Sequence, residues 1–259
     1  YLGEEIDIHG GGEDLVFPHH ENEIAQSESC SHHIFARYWM HNAFLNIDNR
    51  KMSKSLGNFF TVRDILQKYD PQVLRLFMLS AHYRSPLNFS DKLMESAKAS
   101  YARVVNCVSN LNFALEKEDR QEELFEEEGL GKAKAGEYEQ AYRRVMDDDF
   151  NTADAISVVF ELVRLANTTV NEKSSKAYIR LLKEEIVRLC DVLGLIAERK
   201  TEKAQLEISE EEIEEKIAKR TKAKKEKDFA LADAIREELL SKGIVLEDTR
   251  EGVKWTVKS

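Results

Sequence analysis

The sequence predicts an α/β region followed by a mostly helical region, and the distribution of two residue types supports this fold class. All seven histidines and all three prolines lie between residues 9 and 86 of the 259-residue chain. From Leu87 to the end there is no proline. Because proline costs about 3 kcal/mol inside a helix, so long a proline-free stretch favours helices. A chain of this length is expected to form about two domains, or three small ones.

The composition excludes several classes of protein. Hydrophobic residues make up 42% of the chain, enough for a sizeable core, and no apolar run approaches the roughly 18 residues of a membrane span. The three cysteines are odd in number and widely spaced, which argues against a disulfide framework and predicts a cytoplasmic location. With a net charge of −10, the chain can bind nucleic acid only where basic residues are gathered locally.

In the first third, apolar periodicity and turn residues predict short elements. They are, in order, a strand at 4–9 with Ile6 and Ile8 on one face, a helix at 19–29, an amphipathic helix at 34–44, a strand at 45–47 with a turn at 48–50, and helices at 64–69 and 71–80. Pro71 suits the first turn of its helix.

After residue 90 the pattern is helical, with charge-dense linkers at 116–128 and 198–207. The predicted elements are helices at 91–115 and 137–146, a helix capped by Asn151 or Thr152 with the stripe Ile156, Val159, Phe160 and Val163, a helix with the stripe Leu182, Ile186, Leu189, Leu193 and Ile196, helix at 209–240 in one or two pieces, and a hairpin at 244–257. The two stripes are typical of a helical-bundle core.

Three short segments carry residue types that suit chemistry. In the first, Gly10, Gly11 and Gly12 follow the strand, and glycines there let the backbone approach a phosphate, a ribose or a base closely. Asp14 could accept hydrogen bonds from ribose hydroxyls. Three glycines are more often a simple turn, so this segment alone is a weak signal.

The second segment places imidazole and carboxylate on one helix face. His19 and Glu23 are four residues apart and could ligate zinc together. His20, three residues from Glu23, is a rival ligand on spacing alone. The alternative is a simple His–Glu pair at a helix start.

The third segment is Lys51-Met52-Ser53-Lys54-Ser55, followed by a glycine at 57. Two lysines three apart with hydroxyls between them suit a loop that wraps a polyphosphate and stabilises charge on a leaving pyrophosphate. This combination is far more specific than the other two.

The third segment resembles the signature loop of class I aminoacyl-tRNA synthetases, and residues 7–27 resemble cysteinyl-tRNA synthetase. The same family is matched further along the chain, at residues 148–152, 227–230, 232–236, 243–244 and 246–249. The resemblance implies the second half of a Rossmann-type nucleotide-binding fold at 1–45, a signature-loop and stem-contact region at 46–90, a helical bundle that binds the anticodon side at 91–200 and a C-terminal tRNA-binding module at 206–259.

The resemblance also implies the site. His19 and Glu23 match two of four zinc ligands, which favours His19 over His20, and that zinc is expected to bind the thiolate of the substrate cysteine. His9 matches a histidine near the cysteine. Gly12 and Asp14 match the part that faces the adenosine.

Lys51, Ser53 and Lys54 match the ATP-contacting loop, with Lys51 and Lys54 as the catalytic lysines. The implied reaction joins cysteine to ATP, supplied with magnesium, as cysteinyl-adenylate with release of pyrophosphate. Transfer to the 3′ end of tRNA(Cys) follows.

The sequence departs from the family pattern in two ways. The family's His-x-Gly-His motif is absent, and so are the two cysteine zinc ligands that lie upstream of these blocks in the family; Cys30, Cys107 and Cys190 do not match them. We therefore expect a C-terminal portion that is incomplete for catalysis without the N-terminal half. Residues 1–45 are expected to be poorly ordered, self-associated or completed by another chain.

Two alternatives stay open, a non-catalytic tRNA-binding fragment or paralogue, and the related ligase that joins cysteine to an amino sugar. The basic run from Lys216 to Lys227 is either a local phosphate-binding face, with Lys224 and Lys225 the candidates, or a solvated helix whose lysines balance neighbouring glutamates. Trp255 could stack on an unpaired base, although a buried hairpin tryptophan is commoner.

Overall fold

The computed structural model describes residues 3–48, 50–51, 61–198, 208–226, 228–249 and 252–257. Its first part is a parallel pair of strands, β1 (Ile6–Gly12) and β2 (Ala36–Asn42), connected through α1 (Glu21–Ser31). Between β1 and α1 the chain makes two irregular helical turns, Glu13–Leu15 and Val16–His20. A strand, a crossover helix and a parallel strand form the unit expected of half a nucleotide-binding fold.

The prediction of an amphipathic helix at residues 34–44 is wrong, because this segment forms β2. Its aromatic residues, among them Tyr38 and Trp39, fit a pleated surface at least as well as a helix. The ladder to β1 decides the outcome, with Ile8 opposite Tyr38 and Gly12 opposite Asn42.

A second small sheet follows, with strands in the order β4 (Arg50–Lys51), β3 (Leu45–Ile47) and β5 (Leu87–Phe89). Between β4 and β5 lie α2 (Val62–Leu66) and α3 (Pro71–Leu79). Asp70 caps α3 by accepting the Gln72 amide, and Pro71 occupies the first turn as predicted.

Four longer helices form the bundle, namely α4 (Asp91–Leu115), α5 (Gly129–Asp147), α6 (Thr152–Thr169) and α7 (Lys176–Val192). The predicted bounds of α4 are confirmed, whereas α5 begins eight residues earlier than predicted. Asn151 caps α6 through its side chain. The two predicted stripes enter the core, except that Ile196 lies beyond the end of α7 and is 53% exposed.

The C-terminal module has its own core. It consists of α8 (Glu210–Lys225), α9 (Phe229–Ser241) and the antiparallel hairpin β6 (Ile244–Thr249) and β7 (Gly252–Val257), as predicted. Ile213, Leu239 and Ile244 are fully buried there, and Lys254 on β7 bonds Ser109 and Asn110 on α4. Among the helices that the structure describes, none is both long and apolar enough for a membrane span.

Candidate active site

The glycine segment ends β1, where the carboxyl ends of the two parallel strands meet. Ligands of open α/β sheets bind outside these ends. Gly11 is required here by packing, since a Cβ at this position would lie 2.9 Å from Cε1 of His20 and 2.9 Å from Leu15. A Cβ on Gly12 would collide with the carboxylate of Asp14, because the exposed side chain of Asp14 lies over the Gly12 backbone.

Glu23 on α1 holds two histidines with its two carboxylate oxygens. Oε2 lies 2.8 Å from Nε2 of His9, and Oε1 lies 3.3 Å from Nε2 of His19. His9 is mostly buried, whereas His19 is 60% exposed. The irregular turn Val16–His20 leads directly into α1, so His19 and Glu23 lie about one turn apart, and β1 carries His9 to the same point.

His20 takes a different place from His19. It is buried, and its Nδ1 lies 2.8 Å from Nε2 of His41 on β2. Burial, reinforced by the neighbouring His9, lowers the pKa of His20 and favours its neutral form. Two residues at this site, Trp39 and His41, were missed by the sequence reasoning. Read as a strand, residues 39 and 41 share a face, and that period of two was the available signal.

The spacing of these groups can be compared with zinc geometry. With bonds of about 2.0–2.1 Å, two ligands of a tetrahedral zinc lie roughly 3.3 Å apart. The His19–Glu23 separation of 3.3 Å has this value. His9, His20 and Glu23 also cluster within 4.8 Å, but the 2.8 Å between His9 and Glu23 is a direct hydrogen bond. The distance between His19 and Glu23 is therefore compatible with a pair of zinc ligands as well as with a direct ion pair, while His9 bonds Glu23 directly.

The cysteines of the described chain do not complete this ligand set. Cys30 is exposed near the end of α1, while Cys107 and Cys190 lie in the bundle core. Burial raises the pKa of each buried thiol to about 12, which keeps both protonated at neutral pH.

The predicted polyphosphate loop falls largely outside the described residues. The backbone of Lys51 pairs with Asn46 in the β3–β4 hairpin. Ser53 and Lys54 belong to residues 52–60, which are outside the described residues, as is the side chain of Lys51.

Several cations of the basic run on α8 are engaged in ion pairs. Lys216 bonds Glu238 at 2.7 Å, and Lys219 bonds Glu215 at 2.8 Å. Arg220 and Lys224 both bond Asp248, each at 2.8 Å. Trp255 is half-buried against the module core, and its indole donates to Glu214 at 3.1 Å. These contacts favour the balanced helix face for the paired lysines and the packed role for the tryptophan.

Comparison with known families agrees with this architecture. Residues 1–99 match the model of the class I (C) tRNA synthetase catalytic domain, and residues 141–198 match the DALR domain. The parallel strands with their glycine turn thus lie in a segment similar to the class I tRNA synthetase catalytic domain, and the later helices of the bundle lie in a segment similar to the DALR domain. The chain is 57% identical to the cysteine–tRNA ligase of Lachnospira eligens, over 99% of this chain and 53% of that protein. It is 54% identical to that of Lachnoclostridium phytofermentans, over 98% and 54%. The similarity to these two cysteine–tRNA ligases thus extends over nearly the whole of this chain.

The chain spans about half the length of the curated relatives that it matches. A solved ternary complex of an Agrobacterium radiobacter K84 LeuRS with tRNA and LeuAMS has a similar fold, with a TM-score of 0.56 and 19% identity over 74% of this chain and 28% of that one.

Proposed function

We propose that this chain serves the attachment of cysteine to tRNA(Cys). In this reaction the cysteine carboxylate attacks the α-phosphate of ATP, giving cysteinyl-adenylate and pyrophosphate, and the cysteinyl group then passes to the 3′ end of the tRNA. The observation that carries the proposal is the 57% identity to a cysteine–tRNA ligase over 99% of the chain.

Each group of site residues has a role in this proposal. Gly12, without a side chain, lets the adenosine approach the end of β1, and the exposed Asp14 carboxylate accepts hydrogen bonds from it. Lys51, Ser53 and Lys54 bind the phosphates of magnesium-ATP. The two lysines stabilise the charge that develops on the leaving pyrophosphate.

His19 and Glu23 would hold a zinc ion, with the remaining ligands coming from outside the described residues. When bound, the zinc would supply a soft Lewis acid that prefers sulfur to oxygen, and this preference would separate cysteine from serine. His9 bonds Oε2 of Glu23 and so leaves Oε1 turned toward His19. Partners of this kind orient metal ligands. His9 would also contact the bound cysteine.

The helical part supplies the tRNA-binding surface in this proposal. The bundle at 91–200 and the module at 206–259 would hold the anticodon side of the tRNA. The match of residues 141–198 to the DALR domain supports this assignment. That match and the identity to cysteine–tRNA ligases also favour the synthetase over the amino-sugar ligase.

The test measures cysteine-dependent ATP–pyrophosphate exchange and tRNA binding on this chain, with zinc supplied. We expect tRNA(Cys) to bind at least tenfold tighter than tRNA(Leu) and the chain alone to give no exchange. Exchange would show that the chain suffices for adenylate formation, contrary to the expected incompleteness. Equal binding of both tRNAs without exchange would contradict the proposed function.

A further inference from the structure

The turn between α5 and α6 has a strained backbone that is held by a side-chain clasp. Asp149 and Phe150 are consecutive non-glycine residues with φ of 55°, in the left-handed region that costs free energy for L-residues. The turn retains helix-end bonds, from the Phe150 amide to Met146 and from the Asn151 amide to Val145.

The clasp joins Asp149 to the loop before β5. The Tyr83 hydroxyl donates to Oδ1 at 2.7 Å, and the Arg84 guanidinium donates to both carboxylate oxygens, at 2.5 and 3.3 Å. His82 lies 3.8 Å from Oδ2 and stacks on the Tyr83 ring. These donors, with Arg84 the largest influence, lower the pKa of Asp149, so its carboxylate is charged at neutral pH.

The same loop is bonded to the candidate active site. The Tyr83 carbonyl accepts the amide of Ala43 at 2.9 Å. Ala43 directly follows Asn42, the residue that pairs with Gly12 at the end of β1. The three side-chain bonds from Tyr83 and Arg84 to Asp149 and one backbone bond from Ala43 therefore connect the strained turn of the helical bundle to the glycine segment. On this route the clasp bonds are made by side chains, so a substitution can remove them without altering the strands.

We propose that Asp149 is a positioning residue that transmits binding on the helical bundle to the β1–β2 end through Tyr83 and Ala43. This inference rests on the proposed tRNA role of the bundle. The clasp offsets the strain of this turn, so a change in the clasp would let the turn move, and coupling between distant sites needs an element of this kind. Binding that shifts α5 against α6 would alter the clasp, and with it the backbone bond to Ala43.

The test follows amide hydrogen exchange at residues 36–47 when the anticodon stem–loop of tRNA(Cys) is added. The variant Asp149→Gly removes the clasp and tolerates the positive φ, so the turn is preserved. We expect the RNA to slow exchange at 36–47 in the unchanged chain. In Asp149→Gly this response should fall at least threefold while the Kd for the RNA changes less than threefold. A purely structural role would leave the response in proportion to binding.

Two further variants keep the outcome interpretable. Tyr83→Phe removes the hydroxyl bond of the clasp while leaving the Arg84 bonds and the Tyr83 backbone bond, and should weaken the response in the same direction but less than Asp149→Gly does. Glu122→Gln removes a comparable exposed carboxylate that bonds Lys176 and Arg180, and should leave the response unchanged. A full response in Asp149→Gly would overturn the inference alone. Failure of the unchanged chain to bind the RNA would overturn the proposed function, and this inference with it.

Discussion

Glu23 is the residue on which the candidate zinc site depends, because each of its oxygens faces a different histidine. The geometry predicts that His19→Ala and Glu23→Gln each lower the affinity for zinc at least tenfold, a loss at the scale seen when groups around a metal are removed. Zinc binding is measured by competition with a chromophoric chelator, independently of catalysis.

The matched control for this prediction is His33→Ala. His33 is 58% exposed and pairs with Glu4, so it matches His19 in exposure and in having a glutamate partner but lies outside the candidate zinc site. It should leave the affinity unchanged. If His20→Gln instead lowers the affinity more than His19→Ala does, the ligand set is the His9, His20 and Glu23 cluster and the assignment of His19 is wrong.

Gly11 is the residue that sets how closely His20 packs on β1. In Gly11→Ala the new Cβ would lie 2.9 Å from the His20 ring and 2.9 Å from Leu15. Overpacking of this kind costs about 1–3 kcal/mol in the free energy of unfolding. Urea denaturation measures it, with Gly136→Ala on α5 as control. Nothing lies within 4 Å of a Cβ at Gly136, so that change should stabilise the chain by about 0.5–1 kcal/mol. Equal effects of the two variants would contradict the packing argument.

At the scale of elements, the sequence patterns predicted correctly those helices whose ends and faces depend on residues close together in the chain. Pro71 begins α3, and the helix pattern of residues 91–115 matches α4. Residues 34–44 could not be assigned in the same way, because a short apolar and aromatic segment suits helix and strand equally. The pairing that decides for β2 comes from β1, about thirty residues away.

The same nonlocal pairing explains which parts of the site were predicted. Motifs identified His9, Gly12, Asp14, His19 and Glu23 because these residues are close in sequence. His41 and Trp39 lie at the site because residues 36–42 form β2. The incorrect prediction of a helix at 34–44 therefore missed both residues. The spacing also left both His19 and His20 as candidate zinc ligands, because it does not reveal that the His19 ring is exposed and the His20 ring is buried.

Asp248 of the hairpin in the C-terminal module bonds two cations of α8, the exposed Lys224 and the buried Arg220. The Arg220 side chain is 3% exposed and donates to both oxygens of Asp248, at 2.8 and 3.0 Å. Asp248→Ala would leave this guanidinium buried without its partner. We expect a loss of about 3 kcal/mol, the low end for such pairs, because Asp248 itself is half exposed. Trp255 fluorescence in a Trp39→Phe background reports unfolding of the module.

The pair also predicts how the module responds to acid. Arg220 and then Lys224 lower the pKa of Asp248 from its ordinary value of 3.8. The stabilisation is therefore fully present above about pH 4 and is lost as the pH falls below that value. Asp248→Asn should abolish this part of the pH dependence. Glu226→Gln is the control, since its pair with Lys222 is exposed and 4.0 Å long. An unchanged acid transition in Asp248→Asn would show that the pair contributes nothing.

At the scale of the whole molecule, an acidic chain is proposed to hold an anionic RNA, and few cations of α8 are available for it. Lys224 bonds Asp248 at 2.8 Å, whereas Lys225 is exposed. If these lysines contact phosphates, replacing both with alanine should weaken tRNA binding and flatten its salt dependence. Each lost contact reduces the slope by about 1. We expect Lys225→Ala to account for most of the change. Lys219→Ala, which removes a paired lysine, is the control, and an unchanged slope in the double variant would rule out both contacts.

One face of the parallel strand pair carries large apolar side chains that are exposed to water. Ile8 and Tyr38 lie opposite each other across the ladder and are 59% and 67% exposed. Parallel sheets are normally covered on both faces, and each added strand also satisfies the backbone groups of an edge. We therefore expect the chain to self-associate as its concentration rises, unless another chain covers this face.

Sedimentation equilibrium tests this last prediction. Ile8→Lys combined with Tyr38→Lys places two charges on the face and should weaken self-association at least tenfold. Leu130→Lys on α5 is the control, because Leu130 is 84% exposed but lies away from the strand pair. A chain that is monomeric and cooperatively folded at high concentration would show that two strands with their helix are stable without a cover. The double variant would then have nothing to weaken, and the open face would be a tolerated feature of the fold.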